Sequence, residues 1–114
     1  MKNRFSTEDR KINGRIYRYN SRYDIWVCEN GWGFFREYYN KYMILDIGTY
    51  WLKRQEDKDG NIYVNTKDNG DIPVDILVAQ CFCPGKPRGE AMPVHKDGNK
   101  ANCCRWNLTW GEDN

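Results

Sequence analysis

The hydrophobic and polar positions of this chain are punctuated as a series of short strands interrupted by one helix. Arg15-Ile16-Tyr17-Arg18-Tyr19 alternates as a half-buried strand does, directly after the turn signal Asn13-Gly14. Asp24-Ile25-Trp26-Val27-Cys28 predicts a second strand, and Glu29-Asn30-Gly31 turns it into a third, Trp32-Gly33-Phe34-Phe35-Arg36. Residues 37–53 fit a strand or a short helix equally well. The turns Asp57-Lys58-Asp59-Gly60 and Asp68-Asn69-Gly70-Asp71 bracket a short strand, Asn61-Ile62-Tyr63-Val64-Asn65. The period then changes. Val74, Leu77, Val78 and Cys81 recur at three- and four-residue spacing, which is one face of a helix. Pro73 suits a helix start, and Pro84-Gly85 stops it. After a loop rich in Pro, Gly and cations, Met92 to Lys96 and Arg105 to Trp110 are predicted as strands around an Asp97-Gly98-Asn99 turn. A strand-rich N-terminal part, one helix and a β-hairpin make the class α+β.

A chain of 114 residues holds one domain with a modest core. Eight Tyr, five Trp and four Phe equal Ile, Leu and Val together in number. The core is therefore built largely on rings, each contributing roughly 1.5–3 kcal/mol when buried, unless some rings form a binding surface. The net charge of +2 does not by itself point to a polyanion. Its distribution is more informative. Lys2, Arg4, Arg10, Lys11, Arg15, Arg18 and Arg22 crowd residues 1–23 against only Glu8 and Asp9, interleaved with Phe5, Tyr17, Tyr19 and Tyr23. Such a segment suits phosphate contacts with ring stacking, and equally suits a solubilising tail. It divides the chain into a basic arm with the first strand, 1–23, and a single domain, 24–114. No apolar stretch is long enough to span a membrane. No apolar run follows Met1-Lys2-Asn3-Arg4, so no secretory signal is expected, and a cytosolic setting with reduced thiols follows. Cys81-Phe82-Cys83 and Cys103-Cys104 lack the spacing of zinc knuckles. The thiols either meet in space around zinc or stay free as small hydrophobes.

The single histidine, His95, opens the run His95-Lys96-Asp97-Gly98-Asn99-Lys100-Ala101-Asn102, and Asn107-Leu108-Thr109-Trp110 follows. Read as structure alone, the run makes a turn whose asparagines satisfy backbone groups, while Phe82, Leu108 and Trp110 pack a small core. The residues also carry a resemblance. Val74-Asp75-Ile76-Leu77-Val78-Ala79-Gln80-Cys81-Phe82-Cys83-Pro84, then Val94-His95-Lys96-Asp97-Gly98-Asn99-Lys100-Ala101-Asn102-Cys103, then Asn107-Leu108-Thr109-Trp110 resemble, in order and spacing, the core of phage and intron-type HNH homing endonucleases. The upstream strands, with Asn13-Gly14-Arg15-Ile16 and Gly60-Asn61-Ile62-Tyr63-Val64, are similar to the leader that often precedes that core.

The resemblance implies a nuclease chemistry in which one divalent metal, Mg2+ or Mn2+, stabilises the leaving oxygen at the scissile phosphate. A histidine acts as general base toward water. Carried over, His95 is the base and Asn107 its orienting residue, with Lys96 and Lys100 joining the basic arm as nucleic-acid contacts. Three departures mark this chain. Val94 stands where the family places a metal-binding Asp, Asn or His. The family's helical metal ligand falls beyond Asn114, so the final metal-binding helix is expected to be missing or vestigial. Asp75 replaces the histidine usual in the first helix. The metal ligands are thus unknown, and the site is expected to be degenerate. Two functions follow from the resemblance. One is an HNH-derived phage or mobile-element protein that binds DNA or serves a phage protein assembly, in the host cytoplasm or the virion, with self-association left open. The other is an active metal-dependent nicking endonuclease using His95.

Overall fold

A computed structural model describes residues 8–39, 45–85 and 92–111. Its strands are β1 (Arg10–Ile12), β2 (Arg15–Asn20), β3 (Ile25–Cys28), β4 (Phe34–Tyr39), β5 (Leu45–Trp51), β6 (Arg54–Glu56), β7 (Ile62–Thr66), β8 (Gly70–Pro73), β9 (Pro93–His95) and β10 (Leu108–Trp110). One helix, α1 (Val74–Phe82), follows β8 directly. The strands form three antiparallel groups: a five-stranded meander β1 to β5, a three-stranded meander β6 to β8, and the hairpin β9–β10. The predicted α+β order is present: strands, one helix, hairpin. The expected loss of a final helix concerns residues 112–114, which lie outside the described residues.

Asn13-Gly14 closes a two-residue hairpin, with Ile12 opposite Arg15 and both turn residues at positive φ, 52° and 78°. That backbone is the mirror-image turn an Asn-Gly pair favours, because its twist matches the strands it joins. A hairpin turn needs a strand on each side. The preceding one, Arg10–Ile12, lies within the segment that reads from sequence as a basic arm. Residues 10–20 are therefore two strands of the same sheet as β3 to β5. Of the ambiguous stretch 37–53, the described residues include the end of β4 and all of β5, while residues 40–44 lie outside the described residues.

Alternation gives the large sheet two covered faces. Ile25, Val27 and Phe34 point to α1 and join Ile62, Val64 and Ile72 of the small sheet, Val74, Leu77, Val78 and Phe82 of the helix, and Cys103 and Leu108 of the hairpin region in one core. Tyr17, Trp26, Cys28 and Phe35 form a second cluster on the opposite face, where Trp26 and Phe35 lie parallel with centroids 6.0 Å apart. The helix is thus the hub between both sheets and the hairpin, as its apolar spacing predicts. Ala79 and Phe82 complete its buried face, while Cys81 is half-buried. Trp110, expected in the core beside Leu108, is half-buried as well.

Arg105–Asn107, expected as strand, is a turn of 3-10 helix. Its backbone is drawn elsewhere: the Arg105 N–H donates to the Glu29 carbonyl at 2.9 Å, and the Asn107 N–H closes onto the Cys104 carbonyl at 2.9 Å. Strand pairing is left to Leu108–Trp110, with Leu108 opposite His95 and Thr109 opposite Val94.

Candidate functional site

The loop between β9 and β10 contains few apolar side chains, and a hydrogen-bond network centred on Asp97 holds it. Asp97 Oδ1 accepts from the Asn99 N–H at 2.8 Å and from Asn107 Nδ2 at 2.9 Å, while Oδ2 accepts from Asn102 Nδ2 at 2.9 Å. Asn107 Oδ1 in turn accepts from the Asp97 N–H at 3.1 Å. These donors favour the ionised carboxylate. The Asn102 amide foremost, then the Asn99 backbone and Asn107, hold the Asp97 carboxyl below the usual range.

His95 sits where this loop meets the helix, with only 12% of its side chain exposed. Nδ1 lies 3.0 Å from the Asn102 carbonyl oxygen, and Nε2 lies 3.1 Å from Asp75 Oδ2. Asn107 does not touch the imidazole directly. It donates through Nδ2 to the same Asn102 carbonyl at 2.9 Å, so the orienting link from Asn107 to His95 passes through that oxygen. Both partners of the ring are acceptors. A neutral imidazole carries one N–H and satisfies one of them; an imidazolium carries two and satisfies both. While these contacts persist, neither nitrogen presents a free lone pair to water.

Asp75 reaches His95 because it stands in the first turn of α1, where a carboxylate also complements the helix dipole. Its other oxygen accepts from the Ile76 N–H at 2.7 Å. In the sequence Asp75 stands out only as a departure, and nothing gives the Asn102 carbonyl a role. The first contact spans 20 residues, and the second uses a backbone atom that no residue type announces.

A divalent metal of the kind the resemblance implies takes hard oxygen or imidazole ligands, with waters and substrate phosphate filling several of its positions. Val94, 48% exposed, offers only hydrocarbon, and both His95 nitrogens are engaged. Among the described residues no three His, Cys, Asp or Glu side chains converge. As placed, Val94 and His95 offer such an ion no free donor. A cleft of about 590 Å³ adjoins His95, lined in part by Asp57, Asp71, Asp75, Tyr63 and Lys100. Three carboxylates against one lysine make it unsuited to a bare phosphate.

The cations singled out in the sequence divide into two sets. Arg10 lies 3.9 Å over the Trp26 ring and pairs with Glu37 at 2.7 Å. Arg18 grips Asp9 with Nε and Nη2 at 3.0 and 2.9 Å and donates to the Cys81 carbonyl at 2.6 Å, fastening β2 to the end of α1. Lys11, Arg15, Arg22, Lys96 and Lys100 are exposed. Lys2 and Arg4 lie outside the described residues. The cysteines do not gather either. Cys81 Sγ donates to the Arg18 carbonyl, Cys83 to Leu108 and Cys103 to Lys100, and burial pushes the Cys81 and Cys103 thiols up to about 12.

No family model and no curated protein sequence matches the chain. Among solved structures it is similar to the HNH homing endonuclease I-HmuI, in a structure concerned with that enzyme's DNA binding and cleavage. The two are 29% identical with a TM-score of 0.57, over 91% of this chain and 52% of the other. The chain thus spans about half the length of the structure it matches. The likeness supports an HNH-like fold, in line with the motif order in the sequence.

Proposed function

We propose that the chain is an HNH-endonuclease-derived DNA-binding protein whose metal site is degenerate, of phage or mobile-element origin and working in the host cytoplasm or as part of a virion. The observation that carries this reading is the seat of His95. Its Nε2 is turned onto Asp75, its Nδ1 onto the Asn102 carbonyl, and its neighbour Val94 presents an isopropyl group. A general base needs a free lone pair within reach of water, and a metal needs ligands. The residues here supply fold stability instead. Similarity to I-HmuI, a nuclease that binds and cleaves DNA, supports a nuclease-related origin. The exposed Lys11, Arg15, Arg22, Lys96 and Lys100 are among the groups available for phosphate contacts. Retention of the Asn107–Asn102–His95 linkage favours a second reading, an active nicking endonuclease in which Asp75 releases His95.

Supercoiled plasmid separates the two. With Mg2+ or Mn2+, the native protein is expected to nick no faster than His95→Ala, while a gel shift shows binding that weakens with salt. Each neutralised phosphate adds roughly 0.7–0.9 to the log–log slope. Metal-dependent nicking abolished by His95→Ala contradicts the degenerate-site reading. Absence of DNA binding at low salt contradicts the DNA reading.

A further inference from the structure

The main core is mostly aliphatic rather than ring-built, and two tryptophans stand outside both it and the smaller ring cluster. Trp32 is 66% exposed and Trp106 60%, whereas Trp26 is buried at 4%. They emerge from one seam. The turn between β3 and β4 runs against the segment leading to β10: the Arg105 N–H donates to the Glu29 carbonyl at 2.9 Å. A Cβ on Gly31, which has φ +76°, would lie 2.6 Å from the Cys103 carbonyl oxygen. Trp32 directly follows Gly31 on one side of the seam, and Trp106 directly follows Arg105 on the other.

Each indole borders an arginine. The Arg54 guanidinium lies 3.6 Å over the Trp32 ring, anchored by the Gly31 carbonyl at 2.8 Å and by the Ala101 carbonyl. One face of Trp32 is therefore held against a fixed cation. The Arg105 guanidinium lies 5.4 Å from the Trp106 ring and 4.9 Å from Phe82. The acid at this seam is already engaged: Glu29 is only 7% exposed, accepts from the Ile16 N–H at 3.0 Å and faces Arg105 at 3.6 Å. Arg15, adjacent to Ile16, is exposed and makes no ion pair among the described residues. What the seam offers outward is π faces and positive charge.

We propose that Trp32 and Trp106 form a stacking platform for unpaired nucleobases, with Arg15 and Arg105 placed for the phosphates of the same strand. Aromatic faces beside cations are the recognition chemistry of single-stranded nucleic acid, because any unstacked base has a π face and every nucleotide a charge. Bases inside a duplex are stacked on each other and leave those indole faces unused. The inference rests on the DNA-binding reading and narrows it to strands with unpaired bases.

Fluorescence anisotropy on the full chain tests it, using one labelled oligonucleotide as a single strand and as its duplex. Trp32→Ala and Trp106→Ala are each expected to weaken single-strand binding about ten-fold, and the pair about a hundred-fold. Trp32→Phe and Trp106→Phe, which keep a ring, retain most of it. Duplex affinity changes less than about two-fold, and the thermal melt stays put, since both side chains are exposed. Unchanged single-strand affinity in the double alanine variant overturns the platform while leaving the DNA reading intact. Loss of a native self-association in that variant, with nucleic-acid affinity unchanged, reassigns the surface to protein contact and overturns it too. No binding to either form of DNA removes the parent reading itself.

Discussion

The five-stranded sheet and the β9–β10 hairpin are held together by opposite means. The sheet buries rings and aliphatics on both faces, and two of its arginines are built into that packing: Arg10 over Trp26 and Arg36 beneath the turns. The hairpin buries little beyond Pro93 and Leu108 and leaves Val94 and Met92 exposed. Its order comes from Asp97, Asn102 and Asn107 bonding one another. The contrast bears directly on function. His95, Asn107, Arg10 and Arg18, which look functional in the sequence, are engaged inside the molecule. Facing outward are Lys11, Arg15, Arg22, Lys96 and Lys100, together with rings that include the two seam tryptophans.

The largest effect that separates the regions is expected at their shared hub. Leu77→Ala opens a cavity between both sheets and the hairpin and is expected to cost about 3–5 kcal/mol in chemical denaturation. Val94→Ala, on the exposed hairpin face, is expected to fall within about 0.5 kcal/mol. Comparable losses at the two sites would break the comparison.

Arg36 gives a middle-sized effect on the sheet side. It donates to the Asp24 and Tyr23 carbonyls at 3.0 and 2.6 Å and to Asp68 at 2.8 Å, so it ties the β2–β3 turn to the β7–β8 turn. Arg36→Met keeps much of the side-chain volume but leaves two partly buried carbonyls without that donor, at about 1–3 kcal/mol. A neutral substitution, measured the same way, would mean that Arg36 is not structural.

The smallest effect is local and depends on pH. The Asp97 carboxyl is held below its ordinary value of 3.8 in the folded loop. Its stabilising contribution is therefore complete above that value and is lost as pH falls through the lowered folded value. Hydrogen exchange at the Asn99 and Ala101 amides is expected to report this as loop opening in acid, compared at matched intrinsic rates. Asp9, Asp57 and Asp68 are also lowered, so the comparison with Asp97→Asn isolates the hairpin. In that variant the loop should already be open at neutral pH and change little below it. Identical exchange profiles for the two proteins would remove Asp97 from the centre of the loop.

Much of this architecture is legible in the sequence, for reasons tied to particular residues. Val74, Leu77 and Val78 with Pro84 declare the helix, Arg15–Tyr19 declares its strand by alternation, and Ile25–Cys28 is a short apolar run before a turn. β1 is obscured by its adjacent cations Arg10 and Lys11, and β8 by Gly70 and Pro73, residues that argue against a strand until β7 pairs with them. His95 and Asn107 are visible through motif spacing. Their wiring is not, because Asp75 meets His95 only once α1 packs beside the hairpin. The fates of the arginines are equally non-local: Arg10 finds Glu37 27 residues away, and that distance separates a structural cation from a free one.

We propose that His95 is committed to Asp75 and Asn102 rather than to a metal. Paramagnetic broadening by Mn2+ of the backbone signals around His95 and Asn107 tests it most directly. The native protein is expected to show no localised broadening up to millimolar Mn2+, and Val94→Asp to acquire it at lower concentration. Localised broadening of the native protein below millimolar Mn2+, lost in His95→Ala, would contradict the account.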